Sequence, residues 1–151
     1  MKYKRIIYLV NYNNYITTIL NLVQAFEFQK NHFVFSEIKQ DLKNFSKSRK
    51  GCLFIQNLFP LGNDIQQQNL SDEILAQSNE LILDRYGHYL FKYLLNKVEH
   101  GEKYYFLIFN KIVNNLKKYA YNIYSSVVIE RLLDSSNENI KNKNNRKNLW
   151  K

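Results

Sequence analysis

A short pattern returns four times along the chain at nearly constant spacing. Asn14-Tyr15-x-x-Thr18, Cys52-Leu53-x-x-Gln56, His88-Tyr89-x-x-Lys92 and Ser126-Val127-x-x-Glu130 share one register. Self-similarity at a fixed period of roughly 20–50 residues marks stacked supersecondary units, each burying its apolar face against its neighbours. With 4 Gly and 1 Pro in 151 residues, tight turns are too scarce for a sandwich or barrel of short strands. The units therefore read as helical and the chain as all-α.

The motif segments have a helical period. On a helix, the residues one and four after the first motif residue share a narrow stripe with it. Those two, three, six and seven later fall on the opposite side. In the second unit these are Phe54, Ile55, Leu58 and Phe59; in the third, Leu90, Phe91, Leu94 and Leu95; in the fourth, Val128, Ile129, Leu132 and Leu133. All are apolar, so one side of each helix is expected in a core and the motif stripe stays free. The first unit departs: Ile16 and Leu20 obey the pattern, Thr17 and Asn21 do not.

Between the motifs, His32 to Phe45 carries Val34, Ile38, Leu42 and Phe45 at helical spacing, and Glu102 to Leu116 carries Ile108, Ile112 and Leu116. Ser71 followed by Asp72 and Glu73 is expected to cap a helix running through Ile74, Leu75 and Ile82. Residues 60 to 70 read as a polar connector. The repeat region spans residues 5–135, with motif helices starting near 14, 52, 88 and 126. Residues 136–151, rich in Asn and Lys, read as a basic disordered tail.

The formal net charge of +9 favours a polyanionic partner. The tail carries five of the basic residues against one acidic residue, leaving +5 on the repeats. A single cysteine, Cys52, excludes an internal disulfide and fits a reducing compartment. The apolar run near the N-terminus ends at Asn11, short of a signal peptide's hydrophobic region, and no stretch approaches the ~20 apolar residues of a membrane span. His32 and His100 have no partner that would make them catalytic. Neither a carboxylate pair nor a metal-ligand spacing appears, so no enzyme, cofactor or metal is expected.

Two polar side chains one helical turn apart, with a flat or apolar residue between them, can hold a nucleotide base. Leu83-Asp84-Arg85-Tyr86-Gly87-His88-Tyr89-Leu90-Phe91-Lys92-Tyr93-Leu94-Leu95, Gly51-Cys52-Leu53-Phe54-Ile55-Gln56 and Ser125-Ser126-Val127-Val128-Ile129-Glu130 resemble the repeat cores of the Pumilio (PUF) family of single-stranded RNA-binding proteins. Their order resembles the fourth to seventh repeats of an eight-repeat domain. The resemblance implies a right-handed α-solenoid of about four repeats, an armadillo/HEAT-like superhelix, in which each repeat reads one base.

By that resemblance the base-edge residues are Asn14, Thr18, Cys52, Gln56, His88, Lys92, Ser126 and Glu130, and the stacking residues are Tyr15, Leu53, Tyr89 and Val127. Ser126 with Glu130 implies guanine, because a carboxylate accepts from its ring N–H and amino group, and Cys52 with Gln56 implies adenine. His88 with Lys92 departs from the family's Asn-Tyr-x-x-Gln uracil reader, and Asn14 with Thr18 departs from its Asn/Gln pair. The implied core is 5′-G-(U?)-A-N. Arg49, Lys50, Arg85, Lys117 and Lys118 lie near the motif helices as candidate phosphate contacts, and the small residue before each motif reads as room for a base.

The family further implies a cytoplasmic monomer that binds mRNA 3′ untranslated regions and represses or destabilises them through a deadenylase or other repressor protein. Two alternatives stand beside it. One is a protein-binding helical scaffold without base reading. The other is a nucleolar, ribosome-biogenesis-type relative that binds RNA with little sequence choice.

Overall fold

The computed structural model describes residues 5–12, 15–26, 28–96 and 101–148, with no strand among them. The helices are α1 (Arg5–Tyr12), α2 (Ile16–Ala25), α3 (Phe28–Gln40), α4 (Leu42–Phe45), α5 (Arg49–Leu58), α6 (Asp64–Ala76), α7 (Ser78–Leu81), α8 (His88–Asn96), α9 (Gly101–Val113), α10 (Leu116–Ala120) and α11 (Ile123–Asn148). They form a helical-repeat solenoid of about four units.

The motif helices α2, α5, α8 and α11 lie side by side in one row, each packed on the next. The longer helices α3, α6 and α9 make a second row, tied together by polar side chains. Gln66 Nε2 donates to Asn31 Oδ1 at 2.9 Å, Lys103 Nζ to Gln68 Oε1 at 3.0 Å, and the buried Tyr104 hydroxyl to Ser71 Oγ at 3.0 Å. The short helices α4, α7 and α10 connect the second row to the next motif helix, and α1 packs on α2, α3 and α5. One apolar cluster runs between the rows, from Val10 and Val23 through Ile38, Phe54, Ile74 and Phe91 to Val128.

Three motif helices start by the same device. Four residues before the motif, a polar side chain accepts from the backbone N–H groups that a helix start leaves free. Ser48 Oγ accepts from Gly51 N at 3.0 Å. Asp84 Oδ1 accepts from Tyr86 N and Gly87 N, both at 2.8 Å, and Asn122 Oδ1 accepts from Tyr124 N at 2.9 Å and Ser125 N at 3.1 Å.

The residue just before each of these motifs is buried against a backbone carbonyl from the end of the preceding short helix. A Cβ on Gly51 would fall 1.9 Å from Phe45 O, and one on Gly87 2.9 Å from Leu81 O. In the fourth unit Ser125 occupies this place and its Oγ donates to Tyr119 O. These residues are small so that one helix can approach another. The expectation that they make room for a base is corrected: Gly51, Gly87 and Ser125 are all buried.

Of the twelve positions assigned to the core, ten are buried, Ile129 is half-buried and Leu133 is 61% exposed. Leu133 takes the place that Phe59 and Leu95 fill in the earlier units, but no described helix packs beyond α11 to cover it. Val34, Ile38, Leu42 and Phe45 are buried as expected, although the helix breaks at Asp41.

Other expectations fail for identifiable reasons. Ser71 is not a cap; it lies inside α6 with its hydroxyl donating to Gln67 O. Most of the expected connector is helix, because Asn63 and Gln66 form a reciprocal capping box that starts α6 at Asp64. Leu116 is 52% exposed because the chain turns at Asn114 and Asn115 before α10. The expected tail is helical in backbone as far as Asn148; no Gly or Pro lies between 123 and 148 to stop α11.

Candidate nucleic-acid interface

A groove of about 580 Å³ crosses the row of motif helices. It is lined by Cys52, Leu53 and Gln56 of the second unit, His88 and Tyr89 of the third, and Val127 of the fourth. Arg49 and Arg85, exposed and each three residues before its motif, contribute two guanidinium groups to it. Three of the four motifs therefore open onto one surface.

Within the groove the side chains are already engaged. The Cys52 thiol is 3% exposed and donates to Tyr86 O of the next unit at 3.2 Å, while Gln56 Nε2 donates to Cys52 Sγ at 3.2 Å. Burial pushes this thiol up to about 11; the Gln56 hydrogen bond pulls the other way, and the Asp84 carboxylate adds to the rise. It is a neutral donor at physiological pH, not a thiolate nucleophile. Gln56 is half-buried, with its amide poised at the groove wall.

His88, expected at a base edge, is 3% exposed. Its Nδ1 lies 2.9 Å from Asp84 O, and its ring lies against Tyr89 (centroids 4.0 Å apart) and Tyr124 (5.5 Å, planes 22° apart). Any base contact by this residue falls on Nε2. Tyr89 and Leu53 are about half exposed.

Lys92 is half-buried; Ser126 and Glu130 are exposed on the same stripe of α11 as Val127. Ser126 Oγ donates to Ile123 O at 2.7 Å. Tyr15 and Thr18 are exposed at the start of α2 and do not line the groove, and Asn14 lies outside the described residues.

The expected cationic contacts divide. Arg49 and Arg85 face the groove, and the Arg85 guanidinium sits 5.4 Å from the Tyr86 ring centroid. Lys50 instead donates to Asn11 O at 3.1 Å, tying α5 to α1. Lys118 donates to Asn79 O at 3.4 Å, and with Lys117 lines a separate open cleft beside Asn114, Leu116 and Tyr121. Lys117 and Lys118 belong to α10, so these two and Lys50 stand apart from the groove that Arg49 and Arg85 line.

The sequence reading missed Tyr86 and Tyr124, which also line the groove. Both stand two residues before their motifs, a second aromatic column that the register itself could have revealed. Among the described residues no helix is long and apolar enough to cross a membrane. Nor do three or more His, Cys, Asp or Glu residues among them gather where they could hold a metal ion.

Residues 43–75 and 119–143 match the family model of the Pumilio-family RNA binding repeat. Pumilio homology domain family member 4 of Saccharomyces cerevisiae is 30% identical over 131 residues, which is 84% of this chain and 14% of that protein. The chain belongs to the Pumilio repeat family. Pumilio homolog 11 of Arabidopsis thaliana is 28% identical over 115 residues, 76% of this chain and 20% of the homolog.

Solved Pumilio-type structures share the fold. The RNA-binding domain of yeast Puf5p, bound to MFA2 RNA, superposes with a TM-score of 0.79 at 24% identity, covering 87% of this chain and 36% of that one. The Puf4 RNA-binding domain, bound to an HO endonuclease RNA 3′ UTR recognition sequence, gives 0.69 at 22% identity over 90% of this chain and 46% of that one. This chain thus spans under a quarter of each of these curated Pumilio relatives and less than half of each of these solved domains.

Proposed function

We propose that this chain binds single-stranded RNA along the groove over α5, α8 and α11, with one base opposite each Pumilio repeat. The observation that carries the reading is the convergence of Cys52, Gln56, His88, Tyr89 and Val127 with two arginines on one open surface. Phosphates would meet Arg49 and Arg85, bases would stack on Tyr89 and Leu53, and polar pairs one helical turn apart would meet base edges. The repeats are taken as counterparts of the family's fourth to seventh, with RNA running antiparallel and a core of 5′-G-(U?)-A-N.

On this reading the protein acts by occupancy and recruitment, and it is not an enzyme. Bound to an mRNA 3′ untranslated region in the cytoplasm as a monomer, it would bring a deadenylase or other repressor protein to the transcript. A scaffold without base reading is favoured by one observation, the enclosure of His88 between two tyrosine rings.

Fluorescence anisotropy with G-U-A-containing and scrambled oligonucleotides at two salt concentrations separates the readings. Specific reading predicts a preference for the first oligonucleotide. Two phosphate-contacting arginines predict a log–log salt slope of about −1.4. Equal affinity for both with a steeper slope would mark a relative that binds RNA with little sequence choice. No binding at either salt concentration would leave the scaffold.

A further inference from the structure

The burial pattern of α2 fixes a reading frame for the first unit that the motif spacing missed. In the second to fourth units the positions two, three, six and seven after the first motif residue are core, Leu133 apart, and the positions four, five and eight after it are exposed or half-buried. Counted from Asn14, α2 breaks both halves of this rule. Thr17 and Asn21 are exposed where core is required, and Ile19, 8% exposed, is buried where the other units have Asn57, Tyr93 and Arg131.

Counted from residue 13, the conflicts reduce to one. Ile16, Ile19 and Leu20 then occupy the third, sixth and seventh positions, half-buried, buried and half-buried, while Thr17, Thr18 and Asn21 occupy the exposed fourth, fifth and eighth. Val23, 2% exposed, extends the same stripe, standing one helical turn beyond Ile19 and two beyond Ile16. Only Tyr15 disagrees, and it precedes the helix as its N-cap.

We infer that Thr17, and not Thr18, is the side chain of α2 that meets the base edge in the first Pumilio repeat. A one-residue change of frame turns the reading position by more than a quarter of a revolution, so the two threonines face different directions and only one can continue the column formed by Gln56, Lys92 and Glu130. Asn13 and Asn14 lie outside the described residues, and the inference concerns Thr17 alone. It rests on the RNA reading proposed above and specifies its 3′-most position.

The test places a carboxylate at each threonine in turn. Thr17→Glu and Thr18→Glu variants are titrated against four oligonucleotides that differ only at the 3′-most base of the core, with Glu130→Gln titrated against 5′-G and 5′-U oligonucleotides as a control. Thr17→Glu is expected to shift preference towards guanine about tenfold, because a carboxylate accepts from two guanine N–H groups, while Thr18→Glu leaves the order of preference unchanged. A shift in Thr18→Glu, or equal shifts in both variants, overturns the assignment. So does no shift in either when Glu130→Gln still weakens the 5′ guanine preference. If unmodified protein binds none of the oligonucleotides, the RNA reading fails and this inference with it, whereas a wrong frame leaves the binding of unmodified protein intact. Circular dichroism confirms that each variant folds; both substitutions are at exposed positions.

Discussion

Replacing Gly51 with alanine tests whether the approach of each motif helix to the preceding carbonyl is what holds the repeats in place. An exposed helical glycine gains about 1 kcal/mol on becoming alanine. Here the new Cβ would sit 1.9 Å from Phe45 O and 2.8 Å from Ser48 Oγ, where ordinary contact begins near 3.4 Å. The nearest atom belongs to backbone, so no side-chain rotation relieves it, and the start of α5 itself must move. Forced overpacking costs roughly 1–3 kcal/mol. The shift would also loosen the cap from Ser48 Oγ to Gly51 N, worth about 1 kcal/mol. After the propensity gain, Gly51→Ala should destabilise by about 1–3 kcal/mol. At Gly87 the nearest atom is again a backbone carbonyl but at 2.9 Å, a smaller overlap, so Gly87→Ala should cost less than Gly51→Ala, about 1 kcal/mol. Ser125→Ala adds no atom and loses the hydrogen bond to Tyr119 O, about 1 kcal/mol. Urea unfolding followed by circular dichroism ranks the three, with m-values checked because repeat arrays can unfold in stages. A Gly51→Ala protein as stable as the parent would refute the account, since the close approach would then impose no constraint.

Leu95→Ala should cost about 2–4 kcal/mol, whereas Leu133→Ala, at the same register position but 61% exposed, should stay within about 0.5 kcal/mol; the same urea assay decides. Cys52 has a folded-state pKa of about 11 against an ordinary 9.0, so its contribution is complete below pH 9 and lost as pH rises through 11. Stability should therefore fall by about 2 kcal/mol over that window. Cys52→Ala should flatten the fall without abolishing it, because burial also raises Tyr93 and Tyr119; an unchanged slope would count against the thiol. Ser126→Asn with Glu130→Gln should move the 5′ preference from guanine towards uracil in a competition assay, and an unaltered preference would remove the base-edge role from this pair.

The repeat period and the apolar stripe made the architecture legible, because both depend only on which side of a helix must be dry. Ten of twelve assigned core positions are buried for that reason. Charge and polarity misled where they were read without partners. Gln66, Gln67 and Gln68 look like a connector, yet they hydrogen-bond to Asn31, Gly62 and Asp72 inside or beside α6. The ammonium group of Lys50, a candidate phosphate contact by charge, also ties two helices together. Asn31 and Asn11 each lie a whole repeat away in sequence from the side chain that reaches them, so neither bond can be inferred from local spacing.

The site was legible in period but not in phase. An apolar stripe fixes the direction of a helix face, whereas a base-reading residue must be assigned to one position, and neighbouring positions point in well-separated directions. In the second to fourth units the side-chain caps at Ser48, Asp84 and Asn122 set that phase, each four residues before its motif. The first unit has apolar residues, Leu9 and Val10, at the places four before residues 13 and 14, so the cap position that sets the phase elsewhere holds no polar side chain. Only the burial of Ile19 and Val23 supplies the missing phase, and it points to Thr17. A cap and a core stripe together determine which side chain can face a base; where the cap is absent, the core must decide.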